Sequence, residues 1–320
     1  MNKIVRYNIL LTTALLLFVS CLKDDYSSCP RPFQVTIRAL DADTRDITAL
    51  GYVEQVILFL FDHNETFLDA FELCIDHVTG RRPIDIKFPY YAVPEFVIFD
   101  AWANICERVN FTHPGDVGVR TDKSLKLNRV QITQALRSTR DVVIPPGDLF
   151  FGSLGRVEIE RGGNEFGRPH VVDIDRRTAG MHIRAINLQA FNNNREGSYR
   201  FEVHGALDAL CHAGKYTGDW VIKIPDTHFE ENGHFVTSDV FRKFASEDIL
   251  EREEDIVIDI FFNDELIYSV DRDADGNPFV PVMGRTLNVV ISLPTETTAS
   301  LNVQTMVTPW NVVWQYVEWQ

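Results

Sequence analysis

Apolar residues recur along this chain mostly at alternate positions, in short runs broken by Gly, Pro, Asn and Asp, the pattern of half-buried strands. Arg156-Val157-Glu158-Ile159-Glu160 shows it most plainly, with Val157 and Ile159 facing one way and the charges the other. The same reading predicts strands at 33–39, 53–61, 84–88, 95–101, 142–144, 171–174, 181–191, 199–204, 220–224, 256–262, 266–270, 286–293 and 301–307. Helical spacing is rare. Ser238 is placed to cap a turn carrying Val240, Phe241 and Phe244 on one face, and 133–136 and 206–211 carry weaker versions. Many short strands with short helices in the loops predict an all-β fold built of sandwiches. The polar, glycine-rich run 161–169 interrupts the periodicity and predicts a boundary between two β-sandwich domains, 31–163 and 168–320.

The first residues follow a different pattern. Lys3 and Arg6 precede an apolar stretch, Ile9 to Val19, broken only by Thr12 and Thr13. It falls short of the roughly 20 apolar residues a spanning helix needs, and reads as the core of a signal peptide, 1–20. Ser20-Cys21 at its end resembles the bacterial lipobox, in which the cysteine becomes the acylated mature terminus. Several acyl chains (palmitate or similar) at about 0.8 kcal/mol per buried CH2 hold a protein on a membrane where one chain is marginal. Residues 21–30 then form the lipidated tether. Lys23-Asp24-Asp25 resembles the signal for outward display in lipoproteins of Bacteroides-like bacteria.

Charge narrows the partners. Lys and Arg number 31 against 46 Asp and Glu; removing residues 1–20 takes Lys3 and Arg6, leaving net -17, so nucleic acid is excluded as a partner and anionic headgroups repel the body. Attachment therefore falls to the acyl chains. Cys29, Cys74, Cys106 and Cys211 remain, enough for two disulfides; pairing of Cys29 with Cys74 or Cys106 and free thiols are both open.

No catalytic constellation is visible, and a non-enzymatic role is expected. The nine histidines form no zinc-binding pair, and His182 and His204 sit in strands as polar-face residues. Gly152-Ser153-Leu154-Gly155 lacks the spacing of a nucleophile elbow. Two carboxylates converging from distant loops would still make a glycosidase. Asp271, Asp273 and Asp275 followed by Gly276 begin like a calcium loop, but Val282 stands at the position of its bidentate Glu. A plain turn between strands is the simpler reading, so no cofactor is expected and calcium is the alternative. Trp310, Trp314, Tyr316 and Trp319 crowd the end of a final strand; core packing, sugar stacking by Trp310, Trp314 and Trp319, and an open edge that takes a neighbour's strand are the readings available.

The lipobox ending in Cys21, Cys29-Pro30, the strands at 33–39 and 53–61, Ile144-Pro145-Pro146-Gly147, Asp175-Arg176-Arg177-Thr178-Ala179 and the Trp-rich end stand in an order that resembles the FimB-type minor fimbrial anchor family of Bacteroides-like bacteria, over residues 21–320. The resemblance implies two tandem transthyretin-like β-sandwiches, lipid-anchored at Cys21 to the outer membrane and displayed through Lys23, Asp24 and Asp25. It implies a place at the base of a fimbrium assembled by strand exchange, with fimbrial shaft or accessory subunits as partners and an influence on fibre length. It carries over no catalytic residue and no role for 271–277. A surface glycan-binding sandwich lipoprotein is the competing expectation.

Overall fold

In a computed structural model the described residues are 28–313, apart from 89–92, 106–108, 114–115, 117–122, 128–140, 144, 163–164, 212–215, 245–255 and 296–299. The expected tether residues Cys21, Lys23, Asp24 and Asp25, the aromatics Trp314, Tyr316 and Trp319, Cys106 and the turn expected at 133–136 lie outside them.

The regular structure of the described chain is nearly all strand. Its first half holds β1 (Phe33–Ala39), β2 (Gln55–Asp62), β3 (Phe67–Cys74), β4 (Ile84–Ile86), β5 (Phe96–Ala103), β6 (Val109–Phe111), β7 (Lys123–Leu127), β8 (Asp141–Val143) and β9 (Phe150–Glu158). The second half holds β10 (His170–Arg176), β11 (Thr178–Ile186), β12 (Tyr199–Cys211), β13 (Tyr216–Lys223), β14 (Thr227–Phe229), β15 (Phe235–Thr237), β16 (Phe241–Phe244), β17 (Ile258–Phe262), β18 (Glu265–Val270), β19 (Arg285–Ser292) and β20 (Asn302–Pro309). Two short helices, α1 (Ile75–Thr79) and α2 (Leu188–Phe191), sit in loops.

One unit is a curled seven-stranded sheet in the order β3-β2-β5-β9-β10-β1-β4, antiparallel except for the parallel pair β1–β10. Alternation does the folding: Phe33, Val35, Ile37 and Ala39 of β1 turn inward against Val56, Leu58 and Leu60 of β2 and Val97, Phe99 and Ala101 of β5. The other unit faces the sheet β14-β15-β11-β19-β20, with β16 also on β11, against a second sheet β18-β17-β12-β13-β8, to which β7 and β6 attach beside β12. Met181 and Ile183 of β11, Val289 of β19 and Ile258 and Ile260 of β17 fill its core.

A third core joins the units. Phe59 and Phe61 of β2 and Ile98 and Trp102 of β5 present the outer face of the first sheet to Val143 of β8, Ala206, Leu207 and Leu210 of β12, Val221 of β13 and Phe244 of β16. Trp102, Phe59 and Phe61 are fully buried, each stabilising by about 1.5–3 kcal/mol or more, so the two units pack as one body. Strand β5 is covered on both faces, which is why its sequence is apolar nearly throughout.

Three readings change. The run 161–169 is a loop within one sheet, since β9 before it and β10 after it are both first-sheet strands; the chain passes between units at Arg177, and β6, β7 and β8 from the first half join the second unit. Residues 206–211 continue β12: Gly205, at φ 78, and the adjoining register shift bend the strand so that Phe201 and Val203 serve one core and Ala206 and Leu210 another, and the bend reads in sequence as a strand end. Phe241 and Phe244 lie in β16; their three-residue spacing arises because Phe241 enters the second core and Phe244 the joining core.

Candidate functional site

The chain enters the body at one end of the first unit. Arg31 N donates to Glu160 O at 2.8 Å, Gly162 N to Cys29 O at 3.0 Å and Gly167 N to Pro32 O at 2.6 Å, with an isolated bridge between Pro30 and Arg161. The Arg31 guanidinium adds a 3.2 Å ion pair to Glu160 and a bond to the Glu165 carbonyl. Residues 29–32 are thus fastened to the 160–167 loop before β1 begins. From Cys21 to Ser28 is seven residues, which reach about 25 Å at most.

At the far end of the first unit lies the junction. Arg176, 3% exposed, ends β10 and donates from Nε to both Asp148 oxygens, at 3.0 and 3.2 Å. Tyr52, Phe150 and Trp310 ring its guanidinium at 4.8–4.9 Å, where the ring faces attract the cation; Nη2 has no hydrogen-bond acceptor among the described residues. Burial pushes the Asp148 carboxyl above its ordinary range, against the pull of Arg176, then Arg242 and the Trp310 indole. The indole N–H, near the same carboxylate, falls short of full hydrogen-bond geometry. A second tie, Asp43 to Arg285, links the 41–45 loop to the start of β19.

The third feature is a sheet edge. Strand β20 pairs only with β19 among the described residues, and Asn302–Pro309 contains no charge, whereas the open edges β3 and β18 carry Asp69, Glu72 and Glu265. Charged side chains are a usual guard on an open edge, and β20 lacks it. Val303 O accepts from Ala274 N at 2.8 Å, away from β19, and main-chain groups of alternate residues point the same way. Thr305 and Val307 therefore aim their N–H and C=O groups outward, and Pro309 closes the row. Met306 and Val307 are exposed, as are Val312 and Val313.

The remaining predicted residues fall as follows. Asp273 accepts from the amides of Asn277 (2.8 Å) and Asp275 (3.0 Å), with Gly276 at φ 84, a self-satisfied turn docked on β20. The Asn277 amide, chiefly, holds its carboxyl below the ordinary value. Asp271 points instead to Arg272, at 3.8 Å. No group of three or more His, Cys, Asp or Glu suited to a metal occurs among the described residues. His182 is buried, which with Arg184 lowers its pKa to about 4; it lines an open groove of about 870 Å³ with Pro145, Pro146, Pro225, Phe241 and Arg242. His204 faces Asp259 at 3.1 Å. Trp310 is packed between Arg176 and Arg242, at 4.8 and 5.5 Å, and does not line that groove. Cys29 and Cys74 are free thiols. Sequence reasoning missed Asp148 and Tyr52; the only signal was Asp148 following the Pro145-Pro146-Gly147 turn.

Fold and site together define a two-unit all-β protein with its entry segment fastened at one end and an uncharged sheet edge open in the other unit. A profile of the fimbrillin-A associated anchor proteins Mfa1 and Mfa2 matches residues 26–316. The major fimbrium anchoring subunit FimB of Porphyromonas gingivalis strain W83 is 35% identical over 308 residues, 95% of this chain and 94% of the relative. The chain belongs to this fimbrial anchor family. Among solved structures, the fimbrial anchor protein Mfa2 from Porphyromonas gingivalis aligns with a TM-score of 0.61 at 12% identity, over 88% of this chain and 98% of that one. A candidate polysaccharide-binding protein from Bacteroides thetaiotaomicron aligns at 0.60 and 16%, over 88% and 96%. Both share the fold.

Proposed function

We propose that this chain is acylated at Cys21, displayed outward on the outer membrane through Lys23, Asp24 and Asp25, and holds the base of a fimbrium there, gripping a shaft or accessory subunit by strand addition along Thr305–Val307 of β20. By supplying the first contact of the fibre it also influences fibre length. The observation that carries the reading is the uncharged open edge of β20. Added strands gain affinity from main-chain bonds and specificity from alternate side-chain pockets, for which Met306 and Val307 offer apolar surface. A fibre needs such a contact to be heterologous, leaving the partner's other end free. The fastening of residues 29–32 suits a protein pulled from its amino terminus. The role is structural, with no cofactor and no catalytic centre.

The experiment is capture of the shaft subunit by the mature chain. Thr305→Pro removes an outward N–H, together with the long 3.4 Å hydroxyl bond to Asp273, and Val307→Lys puts a charge on the edge; both variants are expected to fold and to capture much less subunit than the wild type. Undiminished capture by both contradicts the edge assignment. Saturable binding of soluble polysaccharide with no subunit capture contradicts the anchor reading itself.

A further inference from the structure

The topology gives the first unit a second task. Strands β1 and β10 are parallel, in register from Val35 opposite His170 to Ala39 opposite Ile174, and Leu40 N extends the ladder to Ile174 O at 2.8 Å. Tension from a tether enters β1 at its amino-terminal end. The chain leaves β10 at its carboxyl-terminal end, through Arg177 into β11 and the second unit. Two parallel strands pulled from opposite ends slide past one another, so their evenly spaced bonds are loaded together instead of opening one at a time.

We infer that the β1–β10 pair is a force-bearing clamp that carries load from the amino-terminal tether to the distal unit. Three details support it. Arg38 and Asp173 form two bonds of 2.7 Å across the pair, on its exposed side. Val35, Ile37 and Ala39 are buried, so sliding β1 drags alternate side chains out of the core at the same moment. The bonds from residues 29–32 to the 160–167 loop hold the entry segment along the line of pull, and the Asp148–Arg176 pair holds the exit end of β10 at the junction. Strand β4 offers the contrast: it is antiparallel to β1, with Ile86 opposite Phe33, so the tether end of β1 and the exit of β4 lie side by side and separate like a zip. The direction of loading rests on the tether reading above; the clamp geometry does not.

Single-molecule pulling on the soluble mature chain, residues 22–320, tests it. One handle sits ahead of Leu22 and the other at Asn194, in the exposed turn after α2, or at exposed Lys87, just past β4. Forced unfolding reads the unfolding barrier, which depends on the direction of pull. The first geometry is expected to yield at a severalfold higher force than the second at the same loading rate. Arg38→Ala is expected to lower the force in the first geometry only, while thermal stability hardly moves, because an exposed ion pair counts for little at equilibrium. Equal forces in the two geometries overturn the clamp. Absence of lipid on Cys21 in a cell would remove the tether reading and leave these forces unchanged, so the two failures are separable.

Discussion

Arg176 gathers Asp148 from just before β9, Phe150 from its start, Tyr52 from before β2, and Trp310 from the segment after β20, so one side chain ties three parts of the chain together. Replacing it by Met keeps the bulk but takes the ion-pair partner from the half-buried Asp148 carboxylate. Breaking a fully buried pair from one side costs about 3–5 kcal/mol; with Asp148 half-buried and Arg242 still near it, Arg176→Met is expected to lower stability by less than that in denaturant titration. Lys223 is a second exposed-type residue in an interior place: it is fully buried on β13, its Nζ meets no acceptor among the described residues, and burial, then Lys243, lowers its pKa to about 7 while Asp208 opposes. Between about 7 and the ordinary 10.5 the unfolded chain holds this proton and the folded chain does not. Stability therefore rises with pH across that window, and below it the folded state carries the whole burial cost. Lys223→Met is expected to raise stability near neutral pH and to flatten the rise; a steeper rise in the variant would contradict this. Neither residue's role was legible in sequence. Arg176 stands in a segment the family resemblance singled out, but its partners come from positions far along the chain, and nothing local to Lys223 marks it as interior.

At the scale of elements, alternation located most strands because one face of each meets a core and the other meets water. It failed where one strand serves two cores. Gly205 ended the reading of β12 too early, and Phe241 with Phe244 imitated a helix face because two cores pull on β16 from opposite sides. Strand β3 was missed outright: Asp69 and Glu72 lie within it, as an exposed edge permits, and the pattern is blurred. The Gly152-Ser153-Leu154-Gly155 run, with no chemical spacing, has a packing reason. A Cβ on Gly152 would sit 1.7 Å from the Asp173 carbonyl oxygen and 2.9 Å from Ile174 Cα, where β9 crosses β10. Backbone cannot yield as a side chain would. Gly152→Ala is expected to unfold the first unit or cost several kcal/mol, read by loss of the cooperative thermal transition, whereas Gly155→Ala, with open space around it, is expected to fold normally.

On the scale of the whole molecule, the all-β class was legible from composition and periodicity, but the way the halves interlock was not. A shared core and the exchange of β6, β7 and β8 depend on contacts between residues more than sixty positions apart, and no local pattern encodes them. The interlock leaves a body suited to passing force from an entry segment at one end to the junction and the second unit. The lack of charge along β20 is visible in sequence, yet only the structure shows that the strand lies at an edge and which of its residues point outward. In the proposed function Cys21 joins these features to a membrane; among the described residues no helix is long and apolar enough to cross one. The most direct measurement is therefore to replace Cys21 by Ala in cells that make the fibre and to weigh protein and fibres on the cells against those in the medium. Release of both into the medium is the predicted result; fibres still held on cells whose anchor lacks that cysteine would contradict the account.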